Sequence, residues 1–152
     1  MSTTQPIRSK QLLHDFKEYF LTKQPNSRNY TLILIGLNTA LRINDILHLT
    51  WGDVYCTEHS RFYTHLLITE KKTEKETRIL INRELQETLL SYRKTQPSIA
   101  DTDYLFPSPR KADSPLSRYQ AYRIVRKAAE AVGIEDVILC LSLIHISEPT
   151  RH

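Results

Sequence analysis

Thr39-Ala40-Leu41-Arg42-Ile43-Asn44-Asp45-Ile46-Leu47-His48-Leu49-Thr50-Trp51-Gly52-Asp53 sets an arginine between two aliphatic residues, inside a stretch rich in apolar side chains. Burying a guanidinium is costly unless an anion meets it, so the segment predicts an anion-binding arginine or a structural ion pair with Asp45 or Asp53. Upstream, Tyr30, Ile33, Leu34, Leu37 and Leu41 recur at helical spacing from about Ser27. Asn44 is a candidate cap for a short helix running through Leu49, which leaves Arg42 in the bend between the two. Further upstream, Leu12, Leu13, Phe16, Tyr19 and Phe20 mark an amphipathic helix over 10–23, behind a Ser9 cap and ended by Gln24-Pro25-Asn26.

Beyond Asp53 the period changes. Phe62, Leu66 and Ile68 alternate with Tyr63 and Leu67, and Arg78-Ile79-Leu80-Ile81 follows the charged turn Glu70-Lys71-Lys72-Thr73-Glu74-Lys75-Glu76, which reads as a small antiparallel sheet. Leu85, Leu89, Leu90 and Tyr92 predict a helix over 83–94. A polar connection follows, with Tyr104-Leu105-Phe106-Pro107 as an apolar peg. Ser117-x-x-Gln120 is a capping-box pattern opening a helix that buries Ala121, Ile124, Val125, Ala128 and Val132 and stops at Gly133.

A chain of 152 residues suits one domain with its own core. Its net charge of +4 and pI near 9.1 permit a polyanionic partner without demanding one. No stretch is long and apolar enough to cross a bilayer and the N-terminus lacks a leader pattern, so the expectation is a cytoplasmic protein with no membrane partner. Cys56 and Cys140 form no disulfide framework, and the six histidines show no metal-binding spacing, so no metal is expected.

The Arg42 segment resembles the Thr-Gly-Leu-Arg-x-x-Glu-Leu-x-x-Leu-x-Trp-x-Asp signature of the tyrosine recombinases, the phage integrase family. Lys72-Thr73-Glu74-Lys75 followed by Arg78-Ile79-Leu80 is similar to that family's lysine hairpin, and Tyr104-Leu105-Phe106 to its short hydrophobic segment. The resemblance implies an α+β fold, mostly α-helical, with a small three-stranded antiparallel sheet. It implies that Arg42 grips the scissile phosphate, that Asp45, in place of the commoner glutamate, buttresses it, and that Lys72 protonates the leaving 5′ oxygen, with Lys75 as the alternative. It further implies no cofactor, double-stranded DNA as partner, and an oligomer assembled on it. On the 118–131 helix, Arg118 and Gln120 are candidates for base edges, and Arg123 and Lys127 for phosphates.

The resemblance stops near residue 140. Leu141-Ser142-Leu143-Ile144 stands where the family has His-x-Leu-Arg, and all eight tyrosines lie at or before Tyr122, so nothing matches the nucleophile. Residues 141–151 resemble a translated transposon-end adapter. The expectation is therefore a partial catalytic domain over 1–140, incomplete at its C-terminal end, a non-native tail over 141–152, and an inactive fragment of a site-specific recombinase. The alternatives are a non-catalytic DNA-binding or regulatory module of integrase-like fold, or a helical protein-interaction domain.

Overall fold

The computed structural model describes residues 10–39, 41–69 and 73–134. Helix α1 (Lys10–Glu18) widens into a π-helical turn at Tyr19–Lys23. The expected single helix over 10–23 is thus two geometries. The wider turn accommodates inward placement of consecutive Tyr19 and Phe20, whose rings meet edge to face at 4.9 Å. Leu12 and Leu13, expected in the core, are only half-buried, and Ser9 lies outside the described residues.

Helix α2 (Ser27–Thr39) begins where expected, with Asn26 Oδ1 accepting from the Asn29 amide at 3.0 Å. Every residue from Thr31 to Gly36 is buried, so α2 is no one-faced helix but the central one, touched by α1, the π turn and α5. Its buried hydroxyls are satisfied locally: Thr31 donates to Ser27 O and Thr39 to Ile35 O, both at 2.7 Å. After Leu41 comes α3 (Ile43–Leu47), whose N-cap is Arg42; Asn44, expected as the cap, lies within the helix.

Helix α4 (Trp51–Val54) opens with Asp53 Oδ2 accepting from the Thr50 amide at 2.9 Å. The chain then forms β1 (Tyr55–Cys56), β2 (Arg61–Phe62), β3 (His65–Thr69) and β4 (Glu76–Leu80). The antiparallel pairing is as expected, but a continuous three-stranded sheet is not formed. Hydrogen bonding divides the strands into two ladders, β1–β2 and β3–β4, the latter in register from His65↔Leu80 to Thr69↔Glu76. Only single bonds bridge the ladder ends to neighbouring chain, Tyr63 N to Val54 O and Ile81 N to Thr64 O.

Helix α5 (Arg83–Lys94) matches its expected limits, capped by Asn82, whose Oδ1 accepts from the Leu85 amide. Leu85, Leu89 and Tyr92 are buried while Leu90 is 42% exposed. The 85-89-92 stripe defines the packed face, and Leu90 falls beside it. The connection to α6 (Arg118–Ala131) threads the core: Leu105, Phe106 and Leu116 are buried. Residues 101–105 pair with the Arg42 segment's far end, through Trp51 N to Asp103 O, Gly52 N to Asp101 O and Leu105 N to Leu49 O. Gly52 suits that close approach, since a Cβ would crowd Asp101 O at 3.0 Å.

Tyr92 donates its hydroxyl to Leu105 O and stacks between Trp51 and Phe106. Burial pushes its pKa up to about 12, slightly opposed by Arg28. A folded-state value above the unfolded 10.0 means the folded chain holds this proton more tightly, so the contribution is complete below pH 10.0 and is lost between 10.0 and about 12. We predict that wild-type stability falls by about 2–3 kcal/mol through that window from this group. Lys17, raised by its hydrogen bond to Glu84, and Tyr30, raised by burial, act in the same direction, so the Tyr92→Phe variant isolates the effect. It should be about 1–3 kcal/mol less stable at neutral pH, and the deficit should shrink above pH 10.0. Denaturant melts across alkaline pH check this; parallel pH profiles would refute it.

Candidate nucleic-acid interface

Arg42 lies between two anchored neighbours. Leu41 and Ile43 are buried, and the extended backbone of Arg42 (φ −69°, ψ 151°) breaks the path between α2 and α3. The side chain itself is exposed, which corrects the expectation of a buried guanidinium. Desolvation therefore does not compel an anion; what the fold supplies is a rigid base beneath an accessible cation. Asp45, half-buried, lies in the first turn of α3. Asp53, one alternative partner for Arg42, has its Oδ2 engaged by the Thr50 amide.

Lys72 falls outside the described residues, as do Glu70 and Lys71. The strands on either side of it are described, and β3 and β4 are paired as far as Thr69↔Glu76. Lys75 is exposed, its amide donating to Thr73 Oγ1 at 3.2 Å, beside Glu74 in a left-handed conformation at φ 57°. The structure brings no described contact between Lys75 and Arg42.

Helix α6 packs against α3, which places the basic helix beside the Arg42 segment. Its capping box forms as expected, with Ser117 Oγ accepting from the Gln120 amide and Gln120 Oε1 accepting from the Ser117 amide at 3.2 Å. Ala121, Ile124, Val125, Ala128 and Ala129 are buried beneath it. Arg118, Arg123, Arg126 and Lys127 are exposed, but they do not share one side of the helix. At about 100° per residue, Arg118 lies roughly 140° from Arg123 and roughly 180° from Lys127. Arg118 approaches the Tyr122 hydroxyl at 3.4 Å. Arg126 faces Glu130 at 3.9 Å, whereas Arg123 and Lys127 make no ion pair among the described residues.

Two features escaped the sequence reading. Tyr119 is 69% exposed, and the Arg123 guanidinium lies 5.9 Å from its ring centroid. The i,i+4 spacing of Tyr119 and Arg123 on the polar face was the available signal. Arg93 lies 3.9 Å over the Tyr55 ring and 5.4 Å from that of Trp51, with Nη1 buried and without a hydrogen-bond partner. Phe62 meets Tyr55 edge-on, so a continuous pile of rings and one guanidinium ties the β1–β2 ladder to α4 and α5. No local pattern announces that pile, because its members come from four separate elements.

No cluster of three or more histidine, cysteine or acidic side chains able to hold a metal ion occurs among the described residues. Nor is any helix among them long and apolar enough to cross a membrane.

The fold is similar to that of the XerA recombinase crystal structure, with a TM-score of 0.72 at 20% identity over 96% of this chain and 49% of that one. A lambda integrase(75–356) dimer bound to a COC′ core site gives 0.62 at 15% identity, over 95% and 50%. The Tn1549 transposon integrase (aa 82–397) in complex with circular intermediate DNA gives 0.58 at 17% identity, over 95% and 52%. The chain spans about half the length of these structures. In sequence it is 42% identical over 137 residues to the "Probable integrase/recombinase YoeC" of Bacillus subtilis (strain 168), covering 90% of this chain and 69% of the relative. The family model described as "Phage integrase family" matches residues 5–146. On that match and that relative, the chain belongs to the phage integrase family, the tyrosine recombinases.

Proposed function

We propose that this chain is the part of a recombinase catalytic domain that carries the first arginine and the lysine, and that its ligand is double-stranded DNA. The carrying observation is Arg42: an exposed guanidinium on a base of buried residues, beside a helix with a basic solvent face. Two of its N–H groups clamp non-bridging phosphate oxygens and oppose the charge of a pentacoordinate transition state. Asp45 buttresses Arg42, and Lys72 in the β3–β4 turn, or Lys75, donates a proton to the departing oxygen. In a complete site a tyrosine oxygen attacks phosphorus and the P–O5′ bond breaks. A 3′-phosphotyrosine forms, the 5′ oxygen leaves as a hydroxyl, and reversal on a second duplex completes exchange. Assembly as an oligomer on DNA is part of the same proposal.

A second reading is a module that binds DNA without cutting it, and the tyrosines of this chain bear on it. All eight are within residues 19–122. Tyr19 and Tyr92 are buried. Tyr92 and Tyr30 are held above the ordinary value by burial, and Tyr63 by a hydrogen bond with Cys56, which is the wrong direction for a nucleophile. The 152-residue polypeptide should therefore bind DNA with steep salt dependence yet form no covalent adduct. A nicked suicide substrate resolved on a denaturing gel tests the adduct; a protein–DNA band surviving boiling would establish cleavage by this chain. Affinity measured against salt tests the binding. Lys127→Ala should reduce the log–log slope by about one unit for its lost phosphate contact, and no salt-dependent affinity at all would refute both readings.

A further inference from the structure

Resting on the DNA-binding reading, we propose that the sequence-reading element of this chain is the Tyr119–Arg123 pair, and not the first-turn residues Arg118 and Gln120. The capping box takes Gln120 out of contention: its Oε1 accepts from the Ser117 amide at 3.2 Å and lies 3.1 Å from the Ser117 hydroxyl. Without a free acceptor beside its amide donor, Gln120 cannot make the paired contact to adenine that such a side chain uses. Arg118 lies on the flank of α6, toward Tyr122. Arg126 is matched by Glu130. Tyr119 and Arg123 remain, one turn apart on the solvent face and exposed, with the guanidinium 5.9 Å from the ring centroid.

The pair has the properties a reader needs. A guanidinium held within cation–π reach of an aromatic ring loses less rotamer freedom on binding than a free one, and its fork keeps donors for the O6 and N7 acceptors of guanine in the major groove. The apolar edge of the Tyr119 ring suits the C5-methyl of thymine. Four helical residues rise about 6 Å, which spans roughly two base steps of about 3.4 Å. The surface thus selects a guanine and a thymine within two base pairs of one another. Lys127, a point charge one turn further on, adds sequence-independent phosphate attraction.

The test retains duplexes from a randomised pool on the full 152-residue chain and sequences those bound. Wild type should enrich guanine and thymine at that separation. Arg123→Lys keeps the charge and the salt slope but loses the planar fork and its place beside the Tyr119 ring, and should cut the guanine preference by roughly tenfold. Tyr119→Ala should weaken preference at both positions, and Arg118→Ala should leave it unchanged. Both key positions are exposed, and unaltered thermal melts confirm that the variants fold. An enriched site unaffected by Arg123→Lys, or one that follows Arg118, would overturn the assignment. So would binding with no base preference, which leaves DNA binding itself intact. Failure to retain any duplex would overturn the DNA reading and this inference together.

Discussion

Phe106→Ala should lower the unfolding free energy by about 3–5 kcal/mol, a large share of the roughly 5–15 kcal/mol that a domain of this size commands. Phe106 is completely buried, although it sits in the polar connection between α5 and α6. Its ring stacks on Tyr92 at 6.0 Å, and its carbonyl accepts from the Leu116 amide at 2.7 Å. Removing the ring leaves a cavity between α5 and the pairing that holds residues 101–105 against Leu49–Gly52. The substitution should therefore loosen the chain downstream of Arg42 as well as the loop. Denaturant titration checks the magnitude. A change below about 1 kcal/mol would mean that the connection is not part of the core.

Arg42 should show the opposite pattern. Arg42→Ala is expected to weaken duplex DNA binding by about ten- to a hundredfold, the size of a lost charge-assisted, bidentate contact. Arg42→Lys should recover only part of this, because an ammonium does not reproduce the planar fork. Stability should move by less than about 1 kcal/mol in either variant, since interactions of an exposed side chain are screened by solvent. Fluorescence anisotropy with a labelled duplex, paired with thermal melts, separates the two readouts. Full recovery by the lysine variant would show that charge alone matters and would refute the bidentate clamp. Unchanged affinity in both would remove Arg42 from the DNA interface.

How much of this was legible beforehand differs by element. The Ser117–Gln120 capping box and the limits of α5 were read correctly, because a cap and the periodicity behind it involve residues no more than about four apart. The inward alternation of Leu66 against exposed Leu67 was legible for the same reason. The π turn at Tyr19–Lys23 was not, since it answers to α2 and α6 packing against it. The exposure of Arg42 was misjudged. Apolar neighbours in sequence are not surroundings in space: one extended residue between Leu41 and Ile43 leaves the arginine outside while they go in.

The sequence by itself determined the family, through the spaced pattern around Arg42, and the order and type of most elements. It also determined which residues carry charge suited to a phosphate. Tertiary structure alone decided that α2 is buried on all sides, that the strands divide into two ladders, and that residues 101–105 pair with Leu49–Gly52. It also decided that the basic residues of α6 split between flanks, with Gln120 spent on a cap and Tyr119 exposed beside Arg123. The physical reason is range. Periodicity and capping are satisfied within one turn of chain, whereas burial, ladder hydrogen bonds and the partner of a polar group depend on segments tens of residues away.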